Sequence, residues 1–482
     1  MKTKISLTRL LLMMSLLLLP SMGLVSCSDD DEPFTGPAEL TVTRDGAAIE
    51  AIDFGTYGGY ALLTLTSNAE WEITTDAGEW LLLSNRSGDA TTDKEPRYIK
   101  ISTLPMGKEA TRSAKVTFRS GSDTKVLTVT QIQPAEKDDA GWETATTANR
   151  NMAVGLNLWN TLDAVGDWFD PDDIEAWETC WGQPKATQEW FDAVAASGFP
   201  AVRIPVTWYP HMDENRNIKE PWMARVEEVV NYGLNAGLYV ILNVHHDTGA
   251  GEKNWLRADM NNIADISDKL GHLWTQIANR FNKYDHKLLF EGYNEMLDAE
   301  ENWVEPVEGG YEAINILAQK FVDTVRATGG NNLRRNLIVN TYGAGGSKTR
   351  LDGMRLPTDQ IAGHILLQVH NYTPAEFSNL GDDADDENLP TWTKEFEAEL
   401  GGELELLIDY SNTFGVPVVI GECGAYKGID ENERAKFGEF ITTYAKDRGN
   451  LSVFFWGDMI DRTTYQEMYP IFIDGFLKGT EW

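Results

Sequence analysis

From residue 154 onward the chain repeats one pattern eight times: a short apolar run, too brief for a helix, and then a longer amphipathic stretch. The runs are 154–158, 201–206, 239–244, 288–292, 336–340, 364–369, 416–421 and 452–455. Their β-branched content and lack of polar alternation suit strands buried on both faces, as in a parallel sheet. Stretches of helical period lie between them, among them 224–234, 266–281, 310–327 and 431–446. Eight such units predict an α/β fold, the (β/α)8 barrel, in which groups at the C-terminal strand ends surround one site.

Two of those strand ends deliver a carboxylic acid. Residues 287–295 read KLLFEGYNE and residues 416–424 read VPVVIGECG, which places Glu295 and Glu422 on the same rim. Glycosidic bond cleavage uses such a pair, one carboxyl to protonate the leaving oxygen and one to attack or to activate water. Other strand ends are polar too: Arg203 in the second, His245-His246-Asp247 after the third, His370-Asn371-Tyr372 after the sixth and Trp456 after the eighth. Charged and imidazole groups at the ends of apolar strands are costly unless paired, so one hydrogen-bonded network around a site is expected. Adjacent histidines on a strand point to opposite faces and no spaced partner such as HExxH exists, so no metal or other cofactor is expected. The acidic run 382–387 reads as a solvated loop rather than a calcium site, and YGAGG at 342–346 lacks the glycine spacing of a phosphate loop.

The N-terminal third has another texture. Lys2, Lys4 and Arg9 precede an apolar stretch ending near Leu24-Val25-Ser26-Cys27, so residues 1–26 read as a secretion signal and 27–38 as an acidic linker. Residues 39–133 hold short strand-like runs separated by turn-formers, with no helical period, which predicts a small β-sandwich. Trp71 and Trp80 there are read as core. Residues 134–148 are polar and read as a second linker, leaving 149–482 for the barrel. The formal charge of -34 repels phosphate backbones, so nucleic acid is not an expected partner. Three cysteines are too few for a disulfide framework, and the fold is expected to hold by its cores rather than by a Cys180 to Cys423 bridge. If Glu422 faces the cleft, alternation turns Cys423 away from it.

Several motifs carry resemblances. Gly155-Leu156-Asn157, Asn160-Thr161-Leu162-Asp163, Trp181-Gly182-Gln183-Pro184, Arg203-Ile204-Pro205-Val206 and Asn243-Val244-His245-His246-Asp247 resemble glycoside hydrolase family 5, subfamily 4 most of all. Asn68-Ala69-Glu70-Trp71, Glu79-Trp80-Leu81 and Val129-Thr130-Gln131 resemble the BACON module, an immunoglobulin-like sandwich, and Leu24 to Cys27 resembles a bacterial lipobox. The first resemblance implies a retaining endo-β-1,4-glucanase acting on cellulose-type, mixed-linkage or xyloglucan chains, with Glu295 as acid/base and Glu422 as nucleophile. Xyloglucan-specific, mannanase and xylanase variants, or a non-catalytic surface glycan binder, remain as alternatives. The supporting residues it implies are Arg203, His245, His246, Asn294, His370, Tyr372 and Trp456. Physical reasons stand beside the family's: Arg203 and the Tyr372 hydroxyl would keep Glu422 ionised, while an apolar setting and the Glu422 charge would raise the Glu295 pKa. Asn294 suits the substrate 2-hydroxyl and Trp456 the floor of the cleaved sugar's subsite. The lipobox implies acylation of Cys27 and an anchor in the outer membrane. Ser28-Asp29-Asp30-Asp31-Glu32 resembles a surface-export signal of lipoproteins and so implies exposure at the cell surface, and a monomer is expected. The chain departs from the family pattern at Trp159, usually glycine, and Leu156, often aromatic. An indole at Trp159 is expected to favour unbranched chains.

Overall fold

Eight parallel strands close into the expected barrel, with the eighth returning to pair with the first. In this computed structural model residues 37–480 are described, apart from 45, 56–57, 92–94, 105, 107–110, 134 and 379–388. The signal, Cys27 and the acidic run 382–387 lie outside the described residues. The strands are β1 (Val154–Asn157), β2 (Ala201–Ile204), β3 (Tyr239–Asn243), β4 (Leu288–Glu291), β5 (Leu337–Gly345), β6 (Ile365–His370), β7 (Val418–Cys423) and β8 (Leu451–Phe455). Each coincides with a predicted run, and only β5 extends well beyond its run, through an irregular register between Asn340 and Gly345.

Helices Glu220–Asn235, Ile263–Arg280, Gly310–Ala327 and Glu431–Arg448 wrap the strands. The second of them buries Ile266, Leu270, Leu273, Trp274 and Ile277, a three-to-four spacing that forms one apolar stripe. Burying each such side chain contributes about 1.5–3 kcal/mol relative to leaving it in water. Cys423 packs in this shell between strands and helices while Glu422 faces the interior, as alternation requires, and the Cys180 and Cys423 thiols are free.

The expected linker 134–148 is corrected by the structure. Its last residues begin a helix, Ala145–Met152, capped by Thr144, whose Ala145, Ala148 and Met152 plug the barrel floor against Ile241, Leu289, Ile338, Leu366 and Phe454. Its polar residues are not free either: Asp138 pairs with Arg334 and His364, and Glu143 accepts the Tyr239 hydroxyl at 2.8 Å. Polarity alone reads the same in a loose tether and in a segment whose side chains bind a floor.

The N-terminal domain is a sandwich of two five-stranded sheets. Strands Gly59–Ser67 and Arg97–Thr103 face Thr111–Ser120 and Asp123–Ile132 across a core of Leu63, Leu65, Ile99, Ile101, Val116, Phe118, Leu127 and Val129. Trp71 is core, 3% exposed. Trp80 differs from expectation in being only half-buried, with the Arg112 guanidinium 4.6 Å above its ring. The sandwich leans on helix Lys394–Phe414, where Gly59 (φ +144) comes so close that a Cβ would lie 2.9 Å from that of Asn412.

Candidate active site

Parallel register sets the site. Asn157 of β1 lies opposite Arg203 of β2, Asn243 of β3 opposite Glu291 of β4, and His370 of β6 opposite Glu422 of β7. The last pairing follows a register irregularity, a device that re-aims side chains at functional strand ends. These pairings gather one polar layer above the apolar floor.

Arg203 is its hub. Its Nε donates to Glu291 Oε2 at 2.7 Å and its Nη2 to Glu291 Oε1 at 2.9 Å, a bidentate pair. Nη2 also donates to Asn294 Oδ1 at 2.7 Å, and Nη1 donates to Asn157 Oδ1 and Glu422 Oε1, both at 2.9 Å. The Tyr372 hydroxyl donates to the other oxygen of Glu422 at 2.8 Å. Across the cleft, His370 Nδ1 lies 2.8 Å from Glu295 Oε1 and 3.5 Å from Glu422 Oε2. Within this cluster an oxygen of Glu295 and one of Glu422 lie within 4.8 Å of each other.

The electrostatics correct one expectation. Burial pushes the Glu295 carboxyl up, but the hydrogen bond from His370 and the charges of His370, His246 and Arg203 outweigh it and hold the pKa below the ordinary value. Glu422 goes the other way, because its burial exceeds the pull of His370 and Arg203. Burial works against protonation of His370, yet the Glu422 and Glu295 charges prevail and raise its pKa. Glu291, also buried, is held low by Arg203. Glu295, Glu422 and His370 therefore titrate as one coupled set beside Arg203, and their protons belong to the set rather than to any one residue.

The cleft walls hold the remaining predicted residues. Trp456 lies parallel to His245, ring centroids 5.5 Å apart and planes within 5°. His245 Nδ1 is tied to Asn243 Nδ2 at 3.1 Å, and burial drives its pKa well down, so it serves as a neutral ring. His246 corrects the argument from strand alternation: its ring sits 4.5 Å from that of His245, and both approach Asp163. β3 ends at Asn243 and the chain then turns, so alternation no longer governs these side chains. Burial pushes the Asp163 carboxyl up to about 7, with its charge softened by the Thr161 and Asn160 amides.

Sequence reasoning missed Glu291, Asn157, Asn243 and Asn340. The last two donate amide hydrogens to Glu291 at 3.2 and 3.3 Å. A signal was present: Glu291 falls inside a strand predicted as buried on both faces, where an acid needs a cation. Reading Glu291 against Arg203 would have found the pair.

Two carboxyls this close, above a barrel floor and beside an aromatic wall, define the class: a glycoside hydrolase. Residues 162–458 match the family model of cellulase (glycosyl hydrolase family 5), and residues 69–131 match BACON, a putative N-terminal binding domain. The chain is 32% identical to the xyloglucan-specific endo-beta-1,4-glucanase of Bacteroides ovatus, over 96% of this chain and 95% of that one. It is 34% identical to Endoglucanase A of Clostridium longisporum over 70% of its own length, and spans 64% of that relative. A family 5 glycoside hydrolase of Prevotella bryantii B14, solved as a mutant in complex with a xyloglucan tetradecasaccharide, superposes with TM-score 0.64 at 39% identity, covering 70% of this chain and 99% of that one. The chain belongs to glycosyl hydrolase family 5.

Proposed function

We propose that the protein is an endo-acting, retaining β-1,4-glucanase that cuts plant β-glucans by double displacement. The observation that carries the mechanism is the approach of Glu295 and Glu422 to within 4.8 Å, oxygen to oxygen. Retaining enzymes hold their carboxyls about 5–5.5 Å apart, whereas inverting ones leave about 6.5–9.5 Å for a water. Glu422 attacks the anomeric carbon while Glu295 protonates the leaving oxygen, and Glu295 then takes a proton from the water that releases the glycosyl-enzyme. A proton must sit on Glu295 when substrate binds. A glycosidic oxygen beside Glu295 accepts a hydrogen bond only from the protonated carboxyl, while Arg203 and Tyr372 offset the Glu422 charge. The names of the relatives, endoglucanases and a xyloglucanase, support this substrate class.

Carboxymethylcellulose, mixed-linkage glucan, xyloglucan, xylan and mannan, digested in parallel with mass spectrometry of the products, identify the backbone and the endo mode. Proton NMR of the earliest products should show the β-anomer first; the α-anomer appearing first would remove Glu422 from the nucleophile's role.

The same reading extends to location. The lipobox ending at Cys27 supports a lipid anchor in the outer membrane, and the acidic run Ser28 to Glu32 supports exposure at the cell surface, which brings the barrel to polymers too large to import. Cys27→Ala should convert a membrane-pelleting protein into a released one. Continued pelleting would argue against acylation.

A further inference from the structure

Trp159 stands where the chain leaves β1, half-buried, its ring centroid 6.3 Å from that of Trp456 and the two planes 63° apart. Its indole Nε1–H donates to Asp458 Oδ1 at 2.8 Å, and the other oxygen of Asp458 accepts from Gln183 Nε2 at 2.9 Å. Buried Arg462 backs this arrangement. Its Nε lies 3.7 Å from Asp458 Oδ1, its Nη2 reaches the Trp159 carbonyl at 3.5 Å, and its guanidinium sits 4.1 Å above the Trp190 ring. Thr161 Oγ1 donates to the same Trp159 carbonyl at 2.9 Å. Both backbone and ring of Trp159 are therefore held. A rim tryptophan with packing contacts alone would exchange rotamers, whereas one bonded to a carboxylate that two other side chains position keeps one.

Two indoles at 63° make a corner. A glucosyl unit laid on the Trp456 face through its apolar C–H surface meets Trp159 with its edge. Successive units of a β-1,4 chain are flipped, so a wall along one side faces a 6-hydroxymethyl group in one of every two units. A bare hydroxymethyl fits beside an indole; a glycosyl branch on it does not. We propose that Trp159, held in place by Asp458, is the specificity-determining wall of the subsite floored by Trp456, and that it selects unbranched or mixed-linkage glucan over heavily branched xyloglucan. This rests on the endo-β-glucanase reading above. Asp458 acts through Trp159 and is a positioning residue.

The test compares kcat/KM on mixed-linkage glucan and on xyloglucan, because steric exclusion acts on transition-state positioning and a general loss of folded protein lowers both alike. Wild type should favour the unbranched chain. Trp159→Gly should shift the ratio toward xyloglucan by about tenfold or more, since filling or emptying a snug site discriminates on that scale. Asp458→Ala, which frees the ring, should shift it in the same direction by less, and Asp458→Asn, whose amide oxygen still accepts the indole N–H while Gln183 turns its amide over to accept from the new NH2, should stay near wild type. Trp159→Phe, which keeps bulk without the N–H, should follow Asp458→Ala. A ratio unmoved in Trp159→Gly, or a wild type that already prefers xyloglucan, overturns the wall. Asp458→Asn matching Asp458→Ala overturns the role given to Asp458. Wild type inactive on every glucan would instead overturn the β-glucanase reading and this inference with it.

Discussion

Replacing Glu422 with alanine should lower kcat on every β-glucan by at least about 10⁴-fold while the protein stays folded, because a covalent mechanism has no second route once its nucleophile is gone. The fold should tolerate the change. Arg203 Nη1 keeps Asn157 at 2.9 Å, so loss of the Glu422 carboxylate does not orphan the guanidinium. Azide supplies a diagnostic readout: entering the vacated space, it attacks the anomeric carbon from the nucleophile's face and yields an α-glycosyl azide from an activated substrate. Glu295→Gln should behave differently. It should slow glucan hydrolysis by roughly 10²- to 10⁴-fold, the worth of a general acid, yet spare the glycosylation step with aryl glycosides whose leaving groups need no proton. Steady-state rates on both substrate types, with circular dichroism of each variant, check the pair. Glu422→Ala retaining a few per cent of wild-type turnover, or equal losses on both substrates in Glu295→Gln, would contradict the assigned roles.

The residues legible in the sequence were those whose position follows from strand direction. Glu295 and Glu422 lie just beyond or at the end of an apolar run, and the barrel pattern alone places both on one rim. What could not be read was the polar layer beneath them. Whether Arg203 meets Glu291 depends on strand order and register around a closed sheet, which the local pattern of either strand does not encode. The orientation of His245 and His246 failed for a related reason: the alternation rule was carried two and three residues past the end of β3, into a turn that brings both rings to Asp163. The proton's place failed differently. Burial and family role both argued for a raised Glu295, but the deciding contact is His370, a partner from β6 that only the folded site brings to 2.8 Å. The plug helix shows the same limit: Ala145, Ala148 and Met152 form too short a stripe to stand out until there is a barrel floor to cover.

Arg203→Ala should damage stability and catalysis together, and the two effects can be separated. Glu291 is fully buried, with only the longer Asn243 and Asn340 amide contacts once the guanidinium is gone. A buried carboxylate left without its cation costs roughly 3–5 kcal/mol, which urea unfolding would show as a lower midpoint. Catalysis suffers through Glu422. Burial already pushes its pKa up against the pull of His370 and Arg203, so removing Arg203 moves it further up. A carboxyl whose pKa rises is ionised only at higher pH, so the acidic limb of the kcat/KM profile should move to higher pH and turnover at neutrality should fall. Arg203→Lys should not rescue, because one ammonium cannot make the two-pronged contact with Glu291 while reaching Glu422, Asn157 and Asn294. The informative variant is Arg203→Met with Glu291→Leu, which removes both charges of the buried pair at once. Replacing a buried ion pair with apolar groups of similar size is often close to neutral for stability, so the urea midpoint should return toward wild type. Activity should stay lost, since nothing then offsets the charge on Glu422 from below. A double variant that regains turnover along with stability would mean that Arg203 serves the fold alone and that Tyr372 and His370 suffice to keep the nucleophile charged.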